Sequence, residues 1–171
     1  INAVSKLTWR AFERHYSLTT YEQLISKLDA TIPVYPDWIK GIACALGSAG
    51  LAFLYSGDMI AFIVTVICSL IGYFGRTLSV RCGCNEYVGI AIGGFAAMVS
   101  AYGFYSHIEQ ASLVYVLVCC TLFMIPGVPL INAVIDTINN HILSGITRAI
   151  RTLRIVGSMT LGMAMALYFS P

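Results

Sequence analysis

The chain has 171 residues, 58% of them hydrophobic and 11% charged, with a mean hydropathy of +0.80 and a formal net charge of +2. A soluble domain carries roughly 25% charged residues, so this composition excludes an ordinary soluble protein and identifies an integral membrane protein. So small a net charge argues against a nucleic-acid partner, and no zinc-finger, phosphate-loop or dinucleotide fingerprint is present.

The chain begins at Ile1, which reads as a fragment or processed form, and its first 35 residues are too polar for a secretory signal. Residues 1–36 read as two amphipathic helices on the cytoplasmic side. The first sets Val4, Leu7 and Ala11 on one face and Lys6, Arg10, Glu13 and Arg14 mostly elsewhere. The second opens on Thr19-Thr20-Tyr21-Glu22, a capping-box pattern with Leu18 as staple. Leu24, Ile25 and Leu28 form its apolar face, and Pro33 and Pro36 end the segment.

Residues 37–171 read as a five-span membrane domain. The apolar segments run approximately over 38–55, 59–78, 87–105, 111–130 and 148–169, each about 18 to 22 residues against the roughly 20 needed to cross a bilayer. Trp38, Tyr55, Tyr87, Tyr105 and Tyr168 fall near their ends, where interfacial aromatics belong. Lysine and arginine are absent from Ser56-Gly57-Asp58, from the turn Ser106-His107-Ile108-Glu109 and from Ser170-Pro171. All ten fall on the other side: Lys6, Arg10, Arg14, Lys27, Lys40, Arg76, Arg81, Arg148, Arg151 and Arg154. The positive-inside rule then places the N-terminus in the cytoplasm and the C-terminus outside. Of six cysteines, Cys44, Cys68, Cys119 and Cys120 lie in apolar runs as small hydrophobes. Cys82 and Cys84 flank Gly83, with no second cluster at metal-ligand spacing. No metal or cofactor is implied, and reduced structural thiols are expected. Gly89, Gly93, Ala97 and Ala101 in the third span, and Ser158, Gly162 and Ala166 in the last, are stripes that let helix backbones approach.

The fourth span runs into Ile125-Pro126-Gly127-Val128-Pro129. Proline removes a backbone donor and clashes one turn back. In lipid this is tolerated only where protein or water satisfies the freed groups, and interrupted helices with polar side chains build transport sites. The expected fold is an all-α integral membrane protein of about five transmembrane helices preceded by cytoplasmic amphipathic helices, with a Pro-Gly-x-Pro helix break after span four. Beyond Pro129, Ile131, Val134, Ile135, Ile138 and Ile142 recur at helical spacing, with Asn132, Asp136, Asn139 and Asn140 opposite. Desolvation disfavours a charged carboxylate, which suits Asp136 to reversible protonation coupled to transport. An amphipathic helix lying on the inner surface with its polar face in water fits the same pattern. Ser144-Gly145 then loosens the helix. Of Arg148, Arg151 and Arg154, the last two read as topology anchors, whereas Arg148, folded back toward Pro126–Pro129, suits a substrate carboxylate. The candidate translocation residues are Pro126, Gly127, Pro129, Asn132, Asp136, Asn139, Asn140, Ser144 and Arg148.

The run from Pro126 to Ala149 closely resembles the signature of the threonine/serine exporter family, in its N-terminal membrane module; the motif Pro-x-Trp-x-Lys-Gly-x-Ala at Pro36–Ala43 and the helical lead-in also fit. The resemblance covers nearly the whole chain. It implies export of small polar carboxylates, chiefly threonine and serine, driven by the proton-motive force across a bacterial inner membrane. Some members pair this module with a smaller membrane protein to export succinate-like dicarboxylates. The lack of a second five-span module after Pro171 leads us to expect that arrangement, with a homologous smaller subunit or a second copy as partner. Set against a transporter, a non-transporting scaffold has no need of the Pro126–Pro129 interruption. An enzyme lacks a nucleophile–base pair, since His15, His107 and His141 are scattered.

Overall fold

A computed structural model describes residues 8, 9, 13, 18–31, 35–104 and 110–169. Most of the expected first amphipathic helix, His15, Pro33, Tyr105, the Ser106–Glu109 turn with His107, and the tail Ser170–Pro171 lie outside the described residues. The chain divides into two compact units, Ile1–Pro36 and Asp37–Pro171. In the first, helix α1 spans Leu18–Thr31. It starts one residue before Thr19, so Thr19 lies inside the helix rather than at its cap. Leu24 is half-buried and Ile25 is exposed.

The second unit is helical among its described residues: α2 Asp37–Ser56, α3 Met59–Arg81, α4 Glu86–Gly103, α5 Gln110–Cys119, a 3-10 turn Leu122–Met124, α6 Gly127–Ile138 and α7 Ile142–Phe169. Asp58 caps α3 by accepting from the Ile60 amide at 2.9 Å, and Asn85 caps α4 by accepting from the Tyr87 amide at 3.2 Å, each satisfying an orphan donor. Helix α4 packs between α3 and α7, α2 lies on α3 and α5, and α6 lies on α7. Ala61, Val64, Cys68, Ala97, Ala101, Leu113, Val116 and Cys120 form one buried cluster where α3, α4 and α5 meet. Ile90, Met124, Ile155 and Met159 form another.

Small residues position the centre of this bundle. A Cβ on Gly72 would lie 2.8 Å from Ala97 Cβ and 2.9 Å from Gly93 O, and one on Gly162 would meet the Ala91 backbone. The stripe residues Gly89, Gly93, Ala97, Ala101, Gly162 and Ala166 are all buried, whereas Ser158 is half-buried.

Among the described residues, three helices (α2, α3 and α7) are long and apolar enough to cross a membrane, or four if the α5–α6 pair counts as one bent span. Five were expected. Helix α4, with 18 residues, is not among the three or four: it is long enough, within the usual range of roughly 17 to 25, but opens on Glu86 and carries four glycines, which lower its apolar character. Outward-facing Leu54, Leu143 and Leu153 are 75%, 85% and 69% exposed, an apolar surface that water does not favour and lipid does.

Candidate functional site

The α5–α6 corner begins earlier than the prolines. Regular α-helix stops at Cys119, whose successor's carbonyl takes a hydrogen bond from the Ser69 hydroxyl at 3.3 Å. A 3-10 turn and an extended Ile125 (φ −64°, ψ 123°) follow, and the second arm is bent by 61° from the first. Proline pushes the residue before it toward extended backbone, which accounts for Ile125 and for the fresh start at Gly127. Pro129 is the third residue of α6, where the missing N–H belongs to the first turn and has no helical partner in any case.

Helix α6 has two unlike faces. Val128, Ile131, Val134, Ile135 and Ile138 are 47% to 73% exposed. Pro129, Asn132 and Asp136 are half-buried and Ala133 is buried, a stripe at i, i+3, i+4 and i+7 on the side opposite the exposed residues. The apolar side therefore faces out and the amide and carboxylate face in. A surface-lying amphipathic helix has the reverse arrangement, with its polar face in water.

The chain reverses at Asn139–Asn140–His141, not at Ser144-Gly145. Asn140 has φ 61°, a conformation that asparagine tolerates better than most residues. The His141 amide donates to Asp136 O at 2.8 Å. Asn139 and Asn140 are exposed turn residues and do not extend the inward stripe. Ser144 is exposed within α7, which runs on without a kink-producing gap. Gly145 serves contact instead of bending: a Cβ there would meet Thr137 Oγ1 and lie 3.0 Å from Ala133 O.

That contact sets the register of the α6–α7 hairpin and brings Asp136 to Arg148. Nη1 of Arg148 lies 3.1 Å from Oδ2 of Asp136, with side-chain exposures of 47% and 19%. The Oδ2 atom is buried and accepts no hydrogen bond, so the pair is held by charge at a distance that permits a hydrogen bond but without the alignment one needs. Arg148 thus meets Asp136 rather than the Pro126–Pro129 segment. Among the candidate residues, Pro129, Asn132 and Asp136 share the inward face of α6, and Arg148 closes on them from α7. Pro126 is buried at the corner, and Gly127 begins the helix.

Among the described residues, the other arginines also have partners, which reading the sequence did not identify. Arg76 and Arg151 approach the two oxygens of Glu86 at 3.5 and 3.6 Å. Arg81 and Lys40 hold Asp37 at 2.6 and 3.3 Å, and Arg154 lies 5.7 Å over the Tyr87 ring. The signal was present: Asp37 and Glu86 are the first residues of α2 and α4, where the helix dipole favours acids, so each faces basic residues at neighbouring helix ends. Among the described residues, no group of three metal-ligating side chains is assembled.

The family model of the threonine/serine exporters matches residues 1–170. A curated protein of Klebsiella aerogenes, named a probable succinate transporter subunit, YjjP, is 25% identical over 135 residues, 78% of this chain and 52% of that protein. The chain thus spans about half the length of that relative. No solved structure matches.

Proposed function

We propose, from the premise that the chain belongs to the threonine/serine exporter family, that it is the membrane module of a secondary transporter. It exports small carboxylates, either threonine and serine or a dicarboxylate such as succinate, driven by the proton-motive force and with a partner membrane subunit. The observation that carries this reading is the inverted polarity of α6: its carboxylate faces protein, beside a guanidinium, while its greasy face points outward. A charged group in that position at membrane depth is costly and marks a pathway or proton relay. The name of the Klebsiella relative, a transporter subunit, supports the partner.

Asp136 carries the coupled proton and Arg148 takes the substrate carboxylate. A zwitterionic amino acid replaces this direct contact when the pair opens, with its carboxylate on Arg148 and its ammonium on Asp136. A proton on Asp136 removes the ammonium's counter-charge, so proton and amino acid compete, as proton-for-substrate exchange requires. A dicarboxylate has the opposite relation: repulsion keeps it from Arg148 until Asp136 is protonated, and because a proton leaving with it moves against its own gradient, export in that mode is driven by the membrane potential acting on the negative charge that remains. Asn132, one turn before Asp136 on the same face, supplies amide hydrogen bonds to the bound molecule.

In the bilayer we read five crossings, α2, α3, α4, the bent α5–α6 pair and α7, in a bacterial inner membrane with the N-terminus cytoplasmic and the C-terminus outside. The one-sided placement of lysine and arginine supports this orientation. Thiol labelling of Ser56→Cys in intact cells tests it, and labelling only after permeabilisation overturns it. Reconstituting the full-length protein with its partner, then measuring counterflow of threonine, serine and succinate at two pH values, tests the function. Inhibition of uptake by protons marks the amino-acid mode and stimulation the dicarboxylate mode. No carboxylate flux overturns the reading, and full flux by this chain alone as a monomer overturns the partner.

A further inference from the structure

A cavity of about 320 Å³ opens between the start of α2 and the last turns of α3, lined by Asp37, Tyr73, Arg76, Thr77, Val80 and Arg81. The Asp136–Arg148 pair is not part of it. Its wall holds two guanidinium groups against one carboxylate, and Lys40 adds a positive charge on the far oxygen of Asp37. Each arginine reaches its acid through one terminal nitrogen, Arg81 to Asp37 and Arg76 to Glu86. A guanidinium carries five N–H donors, so both keep donors for a further anion.

Beside this charged wall the surface is apolar. Phe74 and Leu78, one helical turn apart on α3, are 46% and 64% exposed, and Trp38, next to Asp37, is 58% exposed. Phe74 packs edge-on against Tyr73 of the cavity wall, with ring centroids 5.8 Å apart. The feature therefore joins a cationic cavity at a helix end to a greasy strip running along the same helix. Both halves suit an amphiphile with a negative head.

We propose that this cavity binds the phosphodiester headgroup of an anionic phospholipid, with its acyl chains lying along Phe74 and Leu78. Arg76 and Arg81 supply paired donors to phosphate oxygens, and Tyr73 supplies a hydroxyl, whereas the Thr77 hydroxyl is already donated to the Tyr73 carbonyl. Basic pockets between transmembrane helices are suited to such headgroups. A free phosphate shares the headgroup chemistry but makes no use of the apolar strip. The inference is independent of the transport reading.

The test is native mass spectrometry of the full chain released from mixed phosphatidylglycerol and phosphatidylcholine. Wild type retains phosphatidylglycerol preferentially, and Arg76→Gln and Arg81→Gln each reduce that preference about fivefold, the order expected for one basic residue at an anionic lipid surface. Asp37→Asn separates binding from structure. It breaks the same Arg81 ion pair yet removes the wall's negative charge, so it raises phosphatidylglycerol retention, whereas a purely structural role for the pair lowers it. Millimolar inorganic phosphate leaves the lipid bound. Equal retention of the two lipids by wild type, loss of retention in Asp37→Asn, or displacement by inorganic phosphate (which makes this a free-anion site) overturns the proposal.

Discussion

Between α3 and α4 there is almost no space; between α6 and α7 there is a charge pair. In the first hairpin glycine faces glycine and alanine, so that the two backbones themselves form the contact. The buried hydroxyl of Thr65 is satisfied within its own helix, donating to Ala61 O at 2.7 Å. In the second hairpin only Ala133 of α6 is fully buried, a single glycine of α7 makes the close approach, and a buried carboxylate oxygen has no hydrogen bond. A packing made of backbones has one arrangement. An incompletely satisfied charge in a partly dry place is open to a better partner. The first pair is a frame, and the second is where a substrate or proton can compete.

Placing the same valine at the two glycine contacts gives the largest effect and separates the hairpins. A Cβ on Gly93 would lie 2.8 Å from Gly72 O and 2.9 Å from Arg76 Cβ, so Gly93→Val must part α3 from α4. Overpacking costs about 1–3 kcal/mol and sometimes more; with backbone as the obstacle, the upper end is expected, read as aggregation or a lowered Tm in detergent. Gly145→Val displaces α6, which packs chiefly on α7, and should leave a folded protein with little export. Similar unfolding in both variants would erase the distinction.

Asp136→Asn comes next. It keeps the shape of the side chain and removes its charge and titration. Export should fall at least about tenfold and lose its pH dependence, as expected for a proton-carrying group at membrane depth, while size-exclusion profile and expression stay near wild type. Wild-type rates with unchanged pH dependence would remove Asp136 from the coupling step.

Arg148→Lys follows in size. Lysine keeps the charge but loses the planar fork, so the half-saturating substrate concentration should rise about fivefold to tenfold, the scale of one charge-assisted hydrogen bond, with smaller change in maximal rate. An unchanged affinity in counterflow assays would mean that the guanidinium serves only Asp136.

What the sequence made legible follows from local chemistry. The small-residue stripes marked close helix contacts because a glycine every fourth residue has few other uses, and Asp136 and Arg148 stood out as charges in an apolar stretch. Their pairing was not legible, because it depends on where the chain reverses. Ser144-Gly145 looked like the bend, yet Asn140 takes the left-handed conformation and Gly145 takes the contact. A glycine in a helical pattern signals either one, and only the neighbouring helix decides between them. Asn139 and Asn140 were assigned to the polar stripe by periodicity, but α6 ends at Ile138 before they can join it. The Arg81–Asp37 and Arg151–Glu86 ion pairs join positions far apart in the chain and needed the packing order α2–α3–α4–α7.

The smallest effect is expected at Arg151 and Arg154, and it sharpens the comparison most. Both lie on α7 within two turns of Arg148, so they share its helix, its charge and its side of the molecule. They differ in their partners. Arg151 is 61% exposed and 3.6 Å from Glu86, which is 44% exposed, and exposed ion pairs contribute about 0.2–1 kcal/mol. Arg154 stacks over Tyr87, an interaction that lysine can also make. Arg151→Lys and Arg154→Lys should therefore keep export within about twofold of wild type, the range a weak surface pair allows. If either matches Arg148→Lys in transport assays, a guanidinium anywhere along this stretch of α7 is what matters. The Asp136–Arg148 pair then has no special standing, and the α6–α7 hairpin becomes a second frame like α3–α4.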